Sequence, residues 1–236
     1  SDAAPGTLVA PWRTIATANA TVVPGDTVRI RAGTYAETIA PHSSGTADRR
    51  ITYRAHERET VVLTAADHGI AMRHRAHITV DGIDCRGTQT FVLLDDSHHI
   101  WIRNAVLDGA ALQQGGPKGI RIVNDSHHNR IERCWIGRAG YVAVAPSKTG
   151  LQDRGGLINI GNDTEPGDDS HFNLIEGNTL AYGAHHVLLV ASRYNVIRNN
   201  YIHNEPWMPD PTDPSILYGN RGIGGGGPNS SRNLVE

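Results

Sequence analysis

Residues 170–177 read Ser-His-Phe-Asn-Leu-Ile-Glu-Gly, and this eight-residue pattern recurs along the chain. Looser or closer copies of it begin at Arg75, Ser97, Ser126, Ser192 and Ser230. Successive copies lie between 22 and 44 residues apart, so we expect a repeat unit of about 22 residues with insertions. The 44-residue interval from Ser126 to Ser170 fits either two coils or one coil with a long loop.

Each repeat contains short runs with β-branched or apolar residues at alternate positions, such as Ile120–Val123 and Cys134–Ile136. A unit of this length holds three strands and three turns, and a single coil cannot bury its own apolar face, so neighbouring coils must stack. The sequence therefore predicts an all-β fold, a right-handed single-stranded parallel β-helix, as a single domain over residues 1–236.

Stacking places equivalent residues of successive coils above one another. One predicted inward file consists of Val80, Ile102, Ile131, Ile175, Ile197 and Val235. A second consists of Cys85, Leu107, Ile136, Leu180 and Ile202. A file of amides at a turn, in which each side chain can bond to the next coil, consists of Asn129, Asn173, Asn195 and Asn233.

The two ends of the solenoid carry different expectations. Residues 11–18 form an amphipathic pattern, which predicts a short N-terminal helix that caps the first coil before a strand at 27–31. Residues 233–236 end the chain inside a strand, so we expect a further segment or another chain to stack on this last coil. The alternative is a blunt end with an unpaired strand edge.

Composition excludes several function classes. The formal net charge is −2 with no strongly basic stretch, which argues against nucleic acid as a partner. No apolar run is long enough for a membrane span. The repeat places Cys85 and Cys134 about two coils apart, beyond the reach of a disulfide, so we expect both to be buried thiols.

The N-terminal part of the chain resembles bacterial right-handed β-helix polysaccharide lyases. It looks like pectate lyases of family 9 and, less closely, the alginate and chondroitin lyases of family 6. The matching residues are 1–7, 11–15, 24–28, 32–35, 44–47 and 51–55.

The resemblance implies a secreted or periplasmic enzyme acting on a uronate-containing polysaccharide. In such lyases Ca²⁺ neutralises the uronate carboxylate, and a Lys or Arg removes the C5 proton. The chain has two lysines, Lys118 and Lys148.

An acidic loop at 162–169 is the candidate metal site. Its carboxylates are Asp163, Glu165, Asp168 and Asp169. Ca²⁺ prefers six to eight oxygen ligands, so these residues could bind it. The other interpretations are a solvated turn, or a carboxylate pair of the kind that hydrolyses glycosides.

The histidines fall into two groups. His98-His99 and His127-His128 occupy the repeat position of Phe172 and Tyr194, which predicts a structural stack of flat side chains along one turn. His185-His186 lies outside that register and precedes a strand, so we assign His186 to proton transfer and His185 to substrate binding.

Two further insertions complete the predicted site. The loop 147–154 carries Lys148 and Arg154, which we assign to proton transfer beside an acidic polymer; the alternative is a surface insertion without function. The proline-rich segment 205–214 presents Trp207 as a surface for sugar stacking. Arg193 is assigned with Trp207 and His185 to substrate binding.

Two functions from different classes remain at this point. The first is a secreted polysaccharide lyase that works by β-elimination, with a hydrolase or epimerase less favoured. The second is a non-catalytic carbohydrate-binding, adhesive or assembly module, because the same scaffold hosts both. An enzyme should bring an acid or base and a carboxylate cluster together, whereas a structural rod would scatter them.

Overall fold

The computed structural model of the chain describes residues 1–110, 119–139, 156–161, 168–183, 186–204, 208–209, 217–218, 222–225 and 230–236. The described strands form three parallel sheets, here called A, B and C, and each complete coil contributes a strand to A, then B, then C. The predicted right-handed parallel β-helix is therefore confirmed.

The strands are numbered in chain order. Sheet A consists of β1 (Thr27–Ile30), β3 (Ile51–Ala55), β6 (Ile78–Asp81), β9 (Trp101–Arg103), β12 (Arg130–Glu132), β15 (Leu174–Glu176), β18 (Val196–Arg198) and β23 (Leu234–Val235). Sheet B consists of β2 (Gly33–Tyr35), β4 (Val61–Leu63), β7 (Asp84–Arg86), β10 (Val106–Ala110), β13 (Trp135–Ala139), β16 (Thr179–Gly183) and β19 (Tyr201–His203). Sheet C consists of β5 (His68–Arg73), β8 (Thr90–Asp95), β11 (Ile120–Val123), β14 (Gly156–Ile160), β17 (His186–Val190) and β22 (Ile223–Gly225). A separate antiparallel pair joins β20 (Met208–Pro209) and β21 (Leu217–Tyr218).

The core lies inside the coils, where alternate strand residues stack on their equivalents in the next coil. Ile131 pairs with Ile102 on one side and Ile175 on the other, and Ile136 pairs with Leu107 and Leu180. These six side chains are fully buried. The register of both predicted files is confirmed, and each fully buried aliphatic member contributes about 1.5–3 kcal/mol of hydrophobic stabilisation, whereas Ile202 is half-buried and Val235 is exposed.

The register also decides how the long interval is built. Strand β12 pairs directly with β15, residue for residue from Arg130–Leu174 to Glu132–Glu176. The 44 residues between these partners therefore form one coil with insertions, and not two coils. The added length falls on residues 140–155 and 162–167, at the two ends of β14.

Asparagine ladders hold the turns. The predicted file at the turn before sheet A is confirmed, because Asn129 Nδ2 donates to Asn173 Oδ1 at 3.0 Å and Asn173 Nδ2 donates to Asn195 Oδ1 at 3.0 Å. A second ladder, which the repeat analysis did not identify, lies at the turn between sheets A and B, where Asn178 Nδ2 donates to Asn200 Oδ1 at 3.0 Å. Each ladder satisfies buried amides by linking neighbouring coils.

The N-terminal cap is a helix, α1 (Ile15–Thr21), which begins four residues later than predicted. Asp2 explains the difference, because its Oδ1 accepts from the backbone amides of Arg13 and Thr14 at 3.0 Å, and Thr14 then caps the helix. Ile15 is buried against the first coil, as a cap requires. A short 3-10 helix, His56–Arg58, follows β3.

The remaining expectations concern the cysteines and membranes. Cys85 and Cys134 are both free and buried, as predicted. Burial raises the pKa of each thiol, that of Cys134 to about 12, so both stay protonated at neutral pH. Among the helices of the described residues, none has the length and apolar character needed to span a membrane.

Candidate functional site

The structure places only part of the site predicted from the sequence. His186, Arg193, Asp168 and Asp169 lie among the described residues. The other assigned residues lie outside them: Lys148, Arg154, His185, Trp207, Asp163 and Glu165.

The described half of the acidic loop is engaged with protein partners. Asp169 receives a two-point ion pair from Arg193, at 2.8 Å from Nε and 2.5 Å from Nη2. Asp168 Oδ1 accepts from Ser170 Oγ at 2.7 Å. As arranged, Asp169 does not fit a Ca²⁺ site, because a cation there would have to displace the Arg193 guanidinium. Ca²⁺ binding by the complete loop stays a prediction.

Strand β14 separates the two predicted loops. Residues 151–155 of the basic loop lead into its first residue, Gly156, and the acidic loop follows its other end at Gly161. A five-residue strand spans about 13 Å between its terminal Cα atoms. His186 pairs with Gly156 across sheet C, so it lies beside the end that the basic loop enters.

A different set of charges converges on the outer face of sheet A. Outward positions of successive strands alternate with the buried files, and they carry an excess of arginine. We define the cationic face by six side chains: Arg29, Arg50, Arg54, Arg103, Arg130 and Arg133. Register makes Arg29 and Arg54 direct neighbours, continued by Asp81, Arg103 and Glu132 in the same file.

Arg50 reaches this face from the segment before β3. Gly45 allows that segment to approach closely, because its amide donates to Ala76 O at 2.9 Å and a Cβ there would lie 2.3 Å from His77 O. The Arg50 guanidinium donates to Thr79 Oγ1 at 3.0 Å and to His99 O at 2.5 Å. It is therefore held rigidly over the first strands of the face.

Trp101 lies at the centre of the cationic face. The guanidinium carbon of Arg50 is 4.1 Å from the centre of its ring, and that of Arg130 is 5.2 Å away. Both are cation–π distances. Burial, followed by repulsion from Arg103 and Arg130, lowers the pKa of Arg50 to about 10. The charged form of Arg50 is thus disfavoured first by burial and then by its cationic neighbours, and an anionic ligand would stabilise it.

Two carboxylates partly neutralise the arginines. Arg103 Nη2 lies 3.1 Å from Asp81 Oδ2, and Glu132 lies 3.4 Å from Arg130 and 3.5 Å from Arg133. The same file continues to Glu176 and Arg198, which pair with each other at 2.7 Å, so among the described residues the six guanidinium groups of the cationic face and Arg198 oppose three carboxylates. The face is therefore cationic although the chain is weakly acidic.

The predicted stack of flat side chains is also confirmed. His98 stacks on His127 with ring centres 4.9 Å apart, and His99 stacks on His128 at 5.1 Å. Phe172 and Tyr194 continue the second column, 5.3 Å from each other. This column lies at the turn from sheet C to sheet A, beside Arg50.

The cationic face was not predicted, although the repeat alignment contains the residues that form its central file. The alignment that gave Val80, Ile102 and Ile131 as inward residues also gives the positions after them, Asp81, Arg103 and Glu132. Because side chains alternate along a strand, these positions must share the outer face. Arg50 had no such signal, because it lies outside the repeat.

Known proteins share both sequence and architecture with the chain. A 64-residue stretch is 45% identical to the uncharacterized protein YwoF of Bacillus subtilis (strain 168), covering 27% of the chain and 14% of YwoF. The chain thus spans about a seventh of that relative.

Two solved structures share the fold. An alginate lyase from Paenibacillus sp. str. FPU-7 aligns with TM-score 0.55 and 17% identity over 80% of this chain and 74% of its own. A rhamnogalacturonan lyase aligns with TM-score 0.56 and 18% identity over 96% of this chain and 60% of its own. At these identities the likeness shows the architecture alone.

A family model described as Pel9A-like, right handed beta helix region matches residues 1–163, which is more than half of the chain. The match covers the cap, the cationic face and the first coils of all three sheets. The chain therefore belongs to the Pel9A-like right-handed β-helix family.

Proposed function

We propose that the chain binds an acidic, uronate-containing polysaccharide on the cationic face and cleaves it by β-elimination as a secreted enzyme. The observation that carries the proposal is the excess of arginine on one rigid sheet face of a chain with net charge −2. Guanidinium groups match carboxylates in shape and charge, and they bind them at two points. The lyases that share the fold support the polysaccharide assignment.

The face has the regularity that a polymer needs. Adjacent coils lie about 4.8 Å apart, so the face spreads its arginines over several coils, from Arg29 and Arg54 to Arg103 and Arg130, with Asp81 and Glu132 between them. A polyuronate presents a carboxylate on every sugar, and it could engage several arginines in succession. Because the face belongs to a stacked sheet, the protein backbone loses little conformational entropy when the polymer binds.

The chemical step would follow from the acidity of the proton next to the uronate carboxylate. A base removes the C5 proton, the C4–O bond breaks, a C4–C5 double bond forms, and the departing oxygen takes up a proton. We assign the proton transfers to Lys148, Arg154 and His186, with His185, Trp207 and Arg193 contacting sugar. Because His186 begins a strand of sheet C, the chemical step would take place at the corner between sheets B and C, and the cationic face of sheet A would hold a neighbouring stretch of the same polymer. Ca²⁺ held by Asp163, Glu165 and Asp168 would offset the carboxylate charge, and Asp169 would join them only if it exchanged the Arg193 guanidinium for the ion.

Product formation tests the enzymatic part of the proposal. Purified chain is incubated with polygalacturonate, alginate or rhamnogalacturonan, with and without chelator, and the ultraviolet absorbance of unsaturated product is followed. We expect a signal with one polymer class that falls in His186→Ala. Absence of product with every polymer would contradict the lyase assignment.

Binding tests the cationic face separately. Arg130→Ala should weaken binding of the polyuronate about tenfold at low salt, the equivalent of one charge-assisted hydrogen bond. Arg86→Ala on sheet B is the matched control, because both arginines are exposed and each faces a carboxylate of its own strand, at 3.4 Å for Arg130 and 3.8 Å for Arg86. Equal losses in the two variants would argue against the face.

A non-catalytic binding module is the second candidate. The observation that favours it is that Asp81 and Glu132 form ion pairs with the arginines of the face. These carboxylates do not face the arginines across a space where a sugar could lie between acid and base. Polymer binding that depends on Arg130 without any product would favour this candidate over the lyase.

A further inference from the structure

The two columns of flat side chains contain more imidazoles than stacking requires. Two columns run along the turn from sheet C to sheet A, the first over three consecutive coils and the second over five. The first contains His98, His127 and His171, and the second contains His77, His99 and His128 before Phe172 and Tyr194. In the second column Phe172 and Tyr194 occupy the histidine position with ring centres 5.2–5.3 Å from their neighbours, in tilted contacts. Ring contact along the column therefore does not by itself require imidazole.

The backbone turns the paired imidazoles towards each other. His77, His99 and His128 have positive φ angles of 55–56°, close to those of Phe172 (52°) and Tyr194 (57°), a left-handed conformation that costs a non-glycine residue about 1–2 kcal/mol. In this conformation Nδ1 of His98 lies 2.9 Å from Nδ1 of His99. The pair His127 and His128 repeats the same distance one coil later.

In the metal-free chain that distance is a hydrogen bond between the two imidazoles, and it equals the spacing of two ligands on one metal ion. With metal–nitrogen bonds of about 2.0–2.1 Å, two nitrogens at 90° on one ion lie about 2.9 Å apart. Angles of 90° are typical of the square-planar and tetragonal sites of Cu²⁺ and Ni²⁺, and imidazole suits both ions.

A third histidine distinguishes the first pair from the second. One ring nitrogen each of His77, His98 and His99 lie within 4.8 Å of one another. Two ligands on opposite sides of one ion are about 4.1 Å apart. Bringing the three nitrogens onto one ion therefore requires side-chain movements of less than about 1 Å in their separations. All three side chains are half-buried, which leaves the open positions of an ion accessible to water.

The electrostatics around the triad are compatible with a neutral nitrogen site. Burial, followed by repulsion from Arg50 for His77 and from the neighbouring imidazoles for His99, lowers the pKa of both groups, which favours the neutral form that binds a metal. Arg50 is the nearby cation, and its donors are directed to Thr79 Oγ1, Ile78 O and His99 O. A transition-metal ion with partly covalent bonds to imidazole tolerates the charge of Arg50 better than Ca²⁺, whose binding is purely electrostatic.

We propose that His77, His98 and His99 form a binding site for a divalent transition-metal ion, Cu²⁺ or Ni²⁺, that ties two consecutive coils together at the turn. The site is independent of the polysaccharide function. Each ion would accept three imidazole nitrogens, with water completing its coordination.

The test uses two variants that preserve the stack. His99→Phe introduces the residue that the chain itself uses at the equivalent position, Phe172, and His128→Phe makes the same change one coil later, outside the triad. Tag-free chain is titrated with Cu²⁺ in the presence of a glycine competitor. Electron paramagnetic resonance reports how many nitrogens the copper binds.

In the wild-type chain we expect one Cu²⁺ with three-nitrogen coordination. His99→Phe should weaken Cu²⁺ binding at least about tenfold and reduce the number of coordinating nitrogens by one. His128→Phe should change the Cu²⁺ affinity by less than about twofold. Thermal unfolding of the metal-free variants verifies that both fold. Wild-type chain that binds no Cu²⁺ against glycine, an unchanged His99→Phe, or an equal or larger loss in His128→Phe would overturn the proposal.

Discussion

Asn173 occupies the middle of the amide ladder and shows what a single buried polar residue contributes. Its side chain is 1% exposed. Its Oδ1 accepts from Asn129 at 3.0 Å, and its Nδ2 donates to Ser126 O and Asn195 Oδ1 at 3.0 Å. Every polar atom of the amide is therefore satisfied by a neighbouring coil.

Asn173→Ala should lower the free energy of unfolding by about 1–3 kcal/mol, because the substitution leaves buried donors and acceptors on both neighbouring coils unpaired. Denaturant unfolding monitored by circular dichroism measures the change. Thr34→Ala, at an exposed strand position, should change stability by less than about 0.5 kcal/mol. If both variants unfolded like the wild type, the ladder would have no energetic role.

His99 should make the metal-free chain sensitive to acid. Burial, then repulsion from His77 and His98, lowers its pKa from 6.5 to about 4. The folded chain therefore binds fewer protons than the unfolded chain between these values. The stability contributed by His99 is complete above pH 6.5 and is lost as the pH falls towards 4.

The melting temperature in chelator should thus fall between about pH 6.5 and pH 4.5, with a shallower slope in His99→Phe than in wild type. His42→Phe, at an exposed position, is the control and should keep the wild-type slope. Parallel slopes for all three proteins would refute the contribution of His99.

At the residue scale, sequence analysis succeeded where a side chain belongs to a repeat. Asn173 and the paired histidines were placed correctly, because equivalent positions in stacked coils must be neighbours. Arg50 was not, because its path over the turn depends on the close approach of Gly45 to His77 O, a contact between segments that do not repeat.

The helix α1 protects the first coil from water. Ile15 is 3% exposed and packs into the same core as the strands of the first coils. Its neighbour Asn19 bonds to the buried Tyr53 hydroxyl at 3.1 Å, which fixes the helix on the end of the rod. The helix thus covers apolar surface that would otherwise be open.

Ile15→Ala should destabilise the chain by about 2–5 kcal/mol, because it leaves a cavity between the cap and the first coil. Chemical denaturation quantifies the loss. Ala20→Gln, on the exposed side of the same helix, should cost less than about 0.5 kcal/mol. A loss confined to the control would mean that the helix does not act as a cap.

The start of α1 shows the limit of local prediction. The apolar pattern from Pro11 predicts the helix, but Asp2 binds the amides of Arg13 and Thr14 and delays its first turn to Ile15. Asp2 lies more than ten residues away in sequence, and nothing in the periodicity indicates that contact.

For the whole molecule, the architecture could be predicted because stacking is a constraint between nearest neighbours. Ile131 has to lie beside Ile102 and Ile175 whatever connects them. The candidate site could be predicted only in part. The outer file through Arg103 follows from strand alternation, whereas convergence of Lys148, Arg154 and the acidic loop depends on segments without periodicity, and the assignment of these residues stays a prediction.

The unequal coil lengths have a consequence for how such a molecule can change. The coil from Ile131 to Ile175 is twice as long as the coil from Ile175 to Ile197, yet both place isoleucine on isoleucine. Chain length at a sheet edge is therefore uncoupled from the order inside the rod. Natural variation or an engineer can lengthen, shorten or exchange a segment there, and so alter what the surface recognises, while every interior contact between coils stays as it was.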